Sequence, residues 1–468
     1  MLFVELRFFV FFLAIFGVYW MLRDNGRRKM WLLLCSYVFY GAWDWRFLSL
    51  IVISTMLDFV VGRKLGRYTD PRTRKLWLMA SVMGNLGLLG AFKYFNFFAE
   101  SLVQLGNLLG MSLSHTTLQI VLPVGISFYT FQTMSYSLDI YYGKLRSEYS
   151  LLDVSLFVAF FPQLVAGPII RASDFLPQLS SSRSFPWERA RGHLVRLLVG
   201  FVKKAVIADN LALYVDAYFR DPAAWAAGSA WVAIVFYAVQ IYCDFSGYSD
   251  MAVALAGLLG YELMENFRAP YFAGSITEFW RRWHISLSSW LKDYLYVPLG
   301  GSRGSRLFTY RNLMLTMLLG GLWHGSAWNF VIWGGLHGLA LIAHKEWRRL
   351  VEHRTRLALA GRLIGPALTF YWVCVTWVFF RARTLDEAMT ILRSFVLLQS
   401  DGTAALYAMA PVVILVLAVA HWIAFTRSLD HWWQRAAAPA FVVVYAVIFA
   451  LAVGLVPMDH LPFIYFQF

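Results

Sequence analysis

The chain has 468 residues, of which 59% are hydrophobic, 18% aromatic and only 15% charged, and its mean hydropathy is +0.57. A water-soluble domain runs nearer half apolar and a quarter charged, so an ordinary soluble enzyme is excluded. The formal net charge of +14 flanks apolar runs, which fits membrane topology and contact with anionic lipid and argues against nucleic acid as a partner.

The apolar excess recurs from end to end, which defines an all-α polytopic membrane protein. Lipid offers the backbone no hydrogen-bond partners, so spans are helices of about 20 residues unless a barrel closes, and the weak alternation of barrel strands is absent. Candidate spans cover approximately 5–22, 30–44, 48–62, 76–92, 119–141, 151–168, 194–217, 228–243, 307–322, 326–344, 364–380, 406–425 and 439–457. Several are short or polar, so about eleven true crossings are expected. The first apolar stretch, Phe8 to Leu22, lacks a basic leader and a small-residue cleavage site and reads as a retained span. Arg23, Arg27, Arg28 and Lys29 follow the first span; Arg63, Lys64, Arg67, Arg72, Arg74 and Lys75 follow the third. The positive-inside rule places both groups in the cytoplasm and the N-terminus outside. The basic stretch from Lys345 to Arg362 is expected on the cytoplasmic side too. Cys35, Cys243 and Cys374 are scattered through apolar segments and form neither a metal spacing nor a disulfide framework. With no repeat and no long polar linker, residues 1–468 read as one membrane-embedded domain.

Between Asn266 and Arg311 the apolar density falls and Gly, Pro, Arg and Trp crowd together. Ser275 and Glu278 have the spacing of a capping box. The following helix, expected over about 278–294, places Trp280, Trp283, Leu287, Trp290, Leu291 and Tyr294 on one face and His284, Ser288 and Lys292 on another. Such an amphipathic helix suits the membrane interface. Pro298, Gly300 and Gly301 would end it.

His324 stands in Leu322-Trp323-His324-Gly325, between two apolar stretches. An ionisable side chain at membrane depth is costly and usually faces a protein interior or a cavity. An imidazole can take a proton and return it, as acyl transfer to a hydroxyl requires. The bland alternative, a histidine hydrogen-bonded to a neighbouring helix, has equal weight on the residues alone. His337 lies between Gly335 and Gly338 and is better read as close helix packing. His115, His193, His353 and His431 fall near span ends and read as solvated. Asp244 and Asp250 follow an apolar run, where they line a polar cavity, orient a histidine or pair with an arginine at the membrane edge. No metal-ligand cluster, phosphate loop or nucleophile elbow is present in the sequence.

The run from Phe279-Trp280-Arg281-Arg282-Trp283-His284 to Pro298-Leu299-Gly300-Gly301 resembles the hallmark stretch of the membrane-bound O-acyltransferase (MBOAT) superfamily, nearest its alginate O-acetylase branch. Leu322-Trp323-His324-Gly325, Phe161-Pro162-Gln163-Leu164-Val165-Ala166-Gly167-Pro168-Ile169 and the ending Pro462-Phe463-Ile464-Tyr465-Phe466-Gln467-Phe468 extend the likeness over nearly the whole chain. The resemblance implies a multi-helix bundle with a central funnel and interfacial or re-entrant helices. It makes His324 the catalytic histidine and His284 the second motif histidine. Trp323, Trp283 and Asp244 are then the candidate substrate-binding residues. It implies acetyl-CoA as donor substrate with no bound cofactor and no metal. It further implies a periplasmic SGNH-hydrolase-like partner, polysaccharide secretion machinery and a bacterial inner-membrane location. The expected product is an acetylated exopolysaccharide such as alginate or cellulose. Alternatives are a D-alanyl transferase for teichoic acid and a transporter with His324 as proton relay, although the matched broken repeats of many transporters are not found.

Overall fold

The computed structural model describes residues 2–114, 121–165, 167–351, 355–406, 409–426 and 432–457. His115, His353, His431, Ala166 and the ending from Pro462 lie outside the described residues. Among those described, regular structure is helical, with one isolated bridge between Trp225 and Ala404. The chain divides into two compact units, Met1–His193 with Met251–Met264, and Leu194–Asp250 with Glu265–Phe468.

The first unit contains α1 (Leu6–Met21), α2 (Asn25–Asp44), α3 (Leu48–Arg67), α4 (Pro71–Leu89), α5 (Phe95–Leu108), α6 (Ile126–Tyr141), α7 (Leu151–Ala159), α8 (Phe161–Leu164) and α9 (Ala172–Leu179). The helical run Asn25–Arg67 is 43 residues long, roughly 65 Å of helix and so about twice a bilayer core. It is broken at Asp44, which takes φ −157°, ψ 110°, and α2 and α3 answer to the two separate spans expected there. Asp70 caps α4, its carboxylate accepting from the Thr73 backbone N–H, a bond that holds its pKa below the usual carboxylate value. Past Leu89 the chain continues through a π turn at Gly90–Tyr94 into α5, so the expected 76–92 span is part of a 38-residue run.

The span expected over 151–168 does not form. α7 has 9 residues, about 14 Å of helix, and the backbone turns at Phe160 (φ −52°, ψ 108°). Pro162 then sits in the first turn of α8, where its missing N–H is tolerated. Arg28, read in the sequence as a topology charge, is buried here: its guanidinium donates to the carbonyls of Leu22 and Arg183 at 2.6 Å. His193 is half-buried rather than solvated, its ring packed against Gly257. At the centre, the buried Asp58 of α3 accepts from Ser81 and Asn85 of α4 and Ser137 of α6, which fixes the register of three apolar helices through one carboxylate.

α10 (Trp187–Phe201) leads into the second unit. There a π turn at Val202–Ala208 is followed by α11 (Asp209–Arg220), α12 (Ala227–Leu258), α13 (Ile276–Arg282), α14 (Ile285–Leu291), α15 (Arg306–His324), α16 (Trp328–Val351), α17 (Thr355–Arg381), α18 (Leu385–Val396), α19 (Ala410–Thr426), α20 (Trp432–Arg435) and α21 (Ala438–Gly454). The span expected to stop at 243 runs on to Leu258, because the acids that should have ended it are neutralised inside the helix. Lys204 Nζ lies 2.7 Å from both Asp209 and Asp244, and Asp250 pairs with Arg196 at 2.9 Å and Lys203 at 2.8 Å. α18, too short to register as a span, is capped by Thr384 and buries Ala388, Ile391 and Phe395 along one face.

α15 and α16 pack backbone to backbone. A Cβ at Gly334 would stand 2.2 Å from the carbonyl oxygen of Met317, and one at Gly321 would stand 2.2 Å from that of Phe330. Neither backbone atom can move aside cheaply. Gly334→Val is therefore expected to cost at least about 1–3 kcal/mol by overpacking, read as loss of monodisperse protein after detergent extraction; an unchanged yield and melting temperature would count against this contact.

Candidate active site

α13 begins at Ser275, whose hydroxyl accepts from the Glu278 backbone N–H at 3.2 Å. Glu278 Oε2 accepts from Gly274 N at 2.9 Å instead of from Ser275, so half of the expected capping box forms. The single helix expected over 278–294 breaks into α13 and α14. The break falls on His284, held at φ 43°, ψ 55°, a left-handed conformation uncommon outside glycine. Asn266 secures it. Its backbone carbonyl accepts from Ile285 N at 2.9 Å, and its side-chain oxygen accepts from Ser286 N at 3.1 Å and Ser286 Oγ at 2.9 Å.

The break overturns the single amphipathic helix expected from periodicity. His284, Trp283, Leu287 and Trp290 are all buried, so the tryptophan face is covered by protein. His284 and Lys292 do not share a stripe, since Lys292 is exposed. Beyond the π turn at Lys292–Tyr296, Gly300 (φ 106°) and Gly301 (φ 58°) make the turn that the sequence assigned to them; side chains are strained there.

His324 is the last residue of α15 and is 3% exposed. Its ring is met edge-on by Trp323 and Trp333 at 5.0 Å and by Phe380 at 5.4 Å. The His284 ring lies 6.4 Å away, centroid to centroid. His324 also borders a cavity of about 190 Å³. The walls are mostly apolar: Trp280, Leu287, Leu291, Leu313, Met317, Gly320, Trp333 and Leu341, with Ser288, Thr316, Lys292 and Tyr296 adding polar atoms. Such a chamber has room for a short acyl group beside a proton acceptor.

His284 and the other candidates stand around His324 without lining the cavity. Trp323 forms a triangle with the two imidazoles, 5.0 Å from the His324 ring and 6.1 Å from the His284 ring. Trp283 packs on Phe267 at 5.0 Å and Trp377 at 5.1 Å. Asp244, on α12, is held by Lys204 and stands one residue before Phe245, whose ring meets His284 edge-on at 4.7 Å. His337 is buried, bonded through Nε2 to Thr376 Oγ1 at 3.1 Å and flanked by Trp333 at 4.7 Å and Trp280 at 5.0 Å, as the packing reading anticipated. Among the described residues no group of three or more His, Cys, Asp or Glu is placed to hold a metal ion.

Sequence reasoning missed Asn266 and Trp333. Asn266 reaches His284 across 18 positions of irregular chain, a relation no helical or strand periodicity can signal. Trp333 touches both His324 and His337 but looks in the sequence like any aromatic of an apolar helix.

Residues 143–382, just over half of the chain, match the model of the MBOAT, membrane-bound O-acyltransferase family. A probable alginate O-acetylase of Pseudomonas aeruginosa is 43% identical over 399 residues, covering 83% of this chain and 73% of its own. A peptidoglycan O-acetyltransferase of Helicobacter pylori is 38% identical over 396 residues, 79% of this chain and 73% of its own. A teichoic acid D-alanyltransferase of Streptococcus thermophilus is 28% identical over 239 residues, 48% of this chain and 57% of its own.

Proposed function

Because the chain belongs to the membrane-bound O-acyltransferase family, we propose that it moves acetyl groups from a cytoplasmic thioester, acetyl-CoA, across the bacterial inner membrane for O-acetylation of a secreted polysaccharide. It is a multi-pass membrane O-acyltransferase; donor, acceptor and direction are the proposed part. The observation that carries the reading is His324, buried at the end of α15, bordering the cavity and 6.4 Å from His284.

In the proposed reaction the acetyl thioester sits in the cavity with its carbonyl carbon beside His324. The acceptor hydroxyl oxygen attacks that carbon while the His324 imidazole takes the hydroxyl proton. Collapse of the tetrahedral intermediate breaks the C–S bond, and the imidazolium returns the proton to the leaving thiolate. No net proton is gained or lost, and no oxidation state changes. His284 orients the reacting groups; Trp323, Trp283 and Asp244 contribute through the packing that holds the two rings. Outside the membrane, an SGNH-hydrolase-like partner would pass the acetyl group to the polymer.

The alginate and peptidoglycan O-acetylating relatives support acetyl over D-alanyl as the transferred group, since the D-alanyl relative aligns over a smaller share at lower identity. The experiment is mass spectrometry of secreted polymer from cells with and without this protein. Loss of acetyl esters on deletion, restored by the intact chain, is the expected result. Unchanged acetyl content, or D-alanyl esters lost in its place, would reject the acetyl reading.

A further inference from the structure

We propose that Asn266 is the positioning residue of His284, fixing its imidazole as the Nδ1–H tautomer, which leaves Nε2 without a proton. The inference rests on the reading above only in giving His284 a part in the reaction; the tautomer itself follows from geometry.

Asn266 is buried in the irregular segment between α12 and α13. Two contacts settle which way its amide faces. Its Nδ2 donates to Ser249 Oγ on α12 at 3.2 Å, and its Oδ1 meets the Ser286 backbone N–H at 3.1 Å. A backbone N–H can only donate, so turning the amide over would set donor against donor. Oδ1 is therefore the atom 3.2 Å from His284 Nδ1. A carboxamide oxygen carries lone pairs and no proton, and the contact is a hydrogen bond only when Nδ1 holds the hydrogen. Ser286 Oγ lies 3.4 Å from the same nitrogen but 2.9 Å from Asn266 Oδ1, so its proton goes to the nearer oxygen.

The same residue also sets the backbone. With Ile285 N bonded to the Asn266 carbonyl, the left-handed conformation at His284 and the orientation of its ring are over-determined by one side chain and its own main chain. Strain of this kind persists where surroundings enforce it. A chemical consequence follows. A neutral His284 with its proton turned toward Asn266 cannot donate to the thioester carbonyl oxygen. His284 is thus separated from an oxyanion-stabilising role.

The test is nitrogen-15 NMR of the full-length protein in nanodiscs, labelled at histidine, with the His284 signals assigned by difference against His284→Gln. A pyrrole-type Nδ1 and a pyridine-type Nε2 at neutral pH are expected; the reverse assignment overturns the proposal. Kinetics supply the second readout. Asn266→Ala is expected to lower kcat at least about tenfold, as when a group that fixes a histidine tautomer is removed, with KM changed less than about twofold. Asn266→Asp, whose carboxylate accepts the same hydrogen bond, is expected to recover most of the loss. An Asp variant no better than the Ala variant, with both folded, would mean that Asn266 serves the fold alone. Should the Ala variant not fold, the wild-type spectrum and the Asp variant still decide. If the wild-type protein transfers no acetyl group, the functional reading fails while the spectrum judges the tautomer independently.

Discussion

Replacing His324 with alanine is expected to leave a folded membrane protein and lower acetyl transfer by at least about 10²-fold, the lower end of what a positioned general base supplies. That loss corresponds to roughly 3 kcal/mol on the barrier. The side chain is enclosed by Trp323, Trp333 and Phe380, of which Trp333 and Phe380 also meet each other at 5.3 Å, so the helix end is expected to stay intact when the imidazole is removed. His324→Gln separates proton transfer from hydrogen bonding, because glutamine keeps much of the volume and a polar tip but cannot take up a proton. Both variants are expected to fail alike in an assay of acetyl transfer with purified protein. A glutamine variant near wild-type rate would reassign His324 to binding.

Lys204→Met is expected to cost about 3–5 kcal/mol, the penalty for breaking a buried ion pair from one side. The lysine is 1% exposed and stands 2.7 Å from two carboxylates, Asp209 and Asp244, themselves almost wholly buried. Without its cation the site holds two like charges in a low-dielectric interior. Such a loss takes up most of the margin of a typical fold, so extraction should yield aggregated protein. The triple replacement Lys204→Met, Asp209→Asn, Asp244→Asn removes all three charges and should restore a monodisperse species, since neutral groups of similar volume avoid the desolvation cost. Equal recovery of the single and triple variants would show that the network contributes little.

These two residues also mark what the sequence discloses. His324 is legible because an ionisable residue between apolar stretches is costly to bury and, with the bland reading of equal weight on the residues alone, its neighbours match a family motif. Lys204 is not, because nothing local distinguishes a lysine that will be buried from one at a membrane edge; its partners lie 5 and 40 positions away. The long apolar runs of α2, α3 and the later part of α17 were readable because bilayer thickness imposes length and composition together. α7 misled because its apolar character comes from burial in protein, with Phe160 and Pro162 turning the chain before a span is complete. The region around His284 misled for a subtler reason. Its tryptophan spacing is truly helical on both sides of the break, and the break itself is enforced by Asn266 from outside the pattern. Periodicity reports local geometry, and here a tertiary clamp overrides it.

The central claim is that His324 takes the proton of an acceptor hydroxyl attacking an acetyl thioester. Its most direct test is purified protein in proteoliposomes together with the SGNH-hydrolase-like partner, given radiolabelled acetyl-CoA and a soluble polysaccharide acceptor, with the first-order rate of label transfer compared between the intact chain and His324→Gln at matched folding. Transfer by the intact chain and a loss of at least about 10²-fold in the variant is the predicted outcome. Equal transfer by both proteins would contradict it.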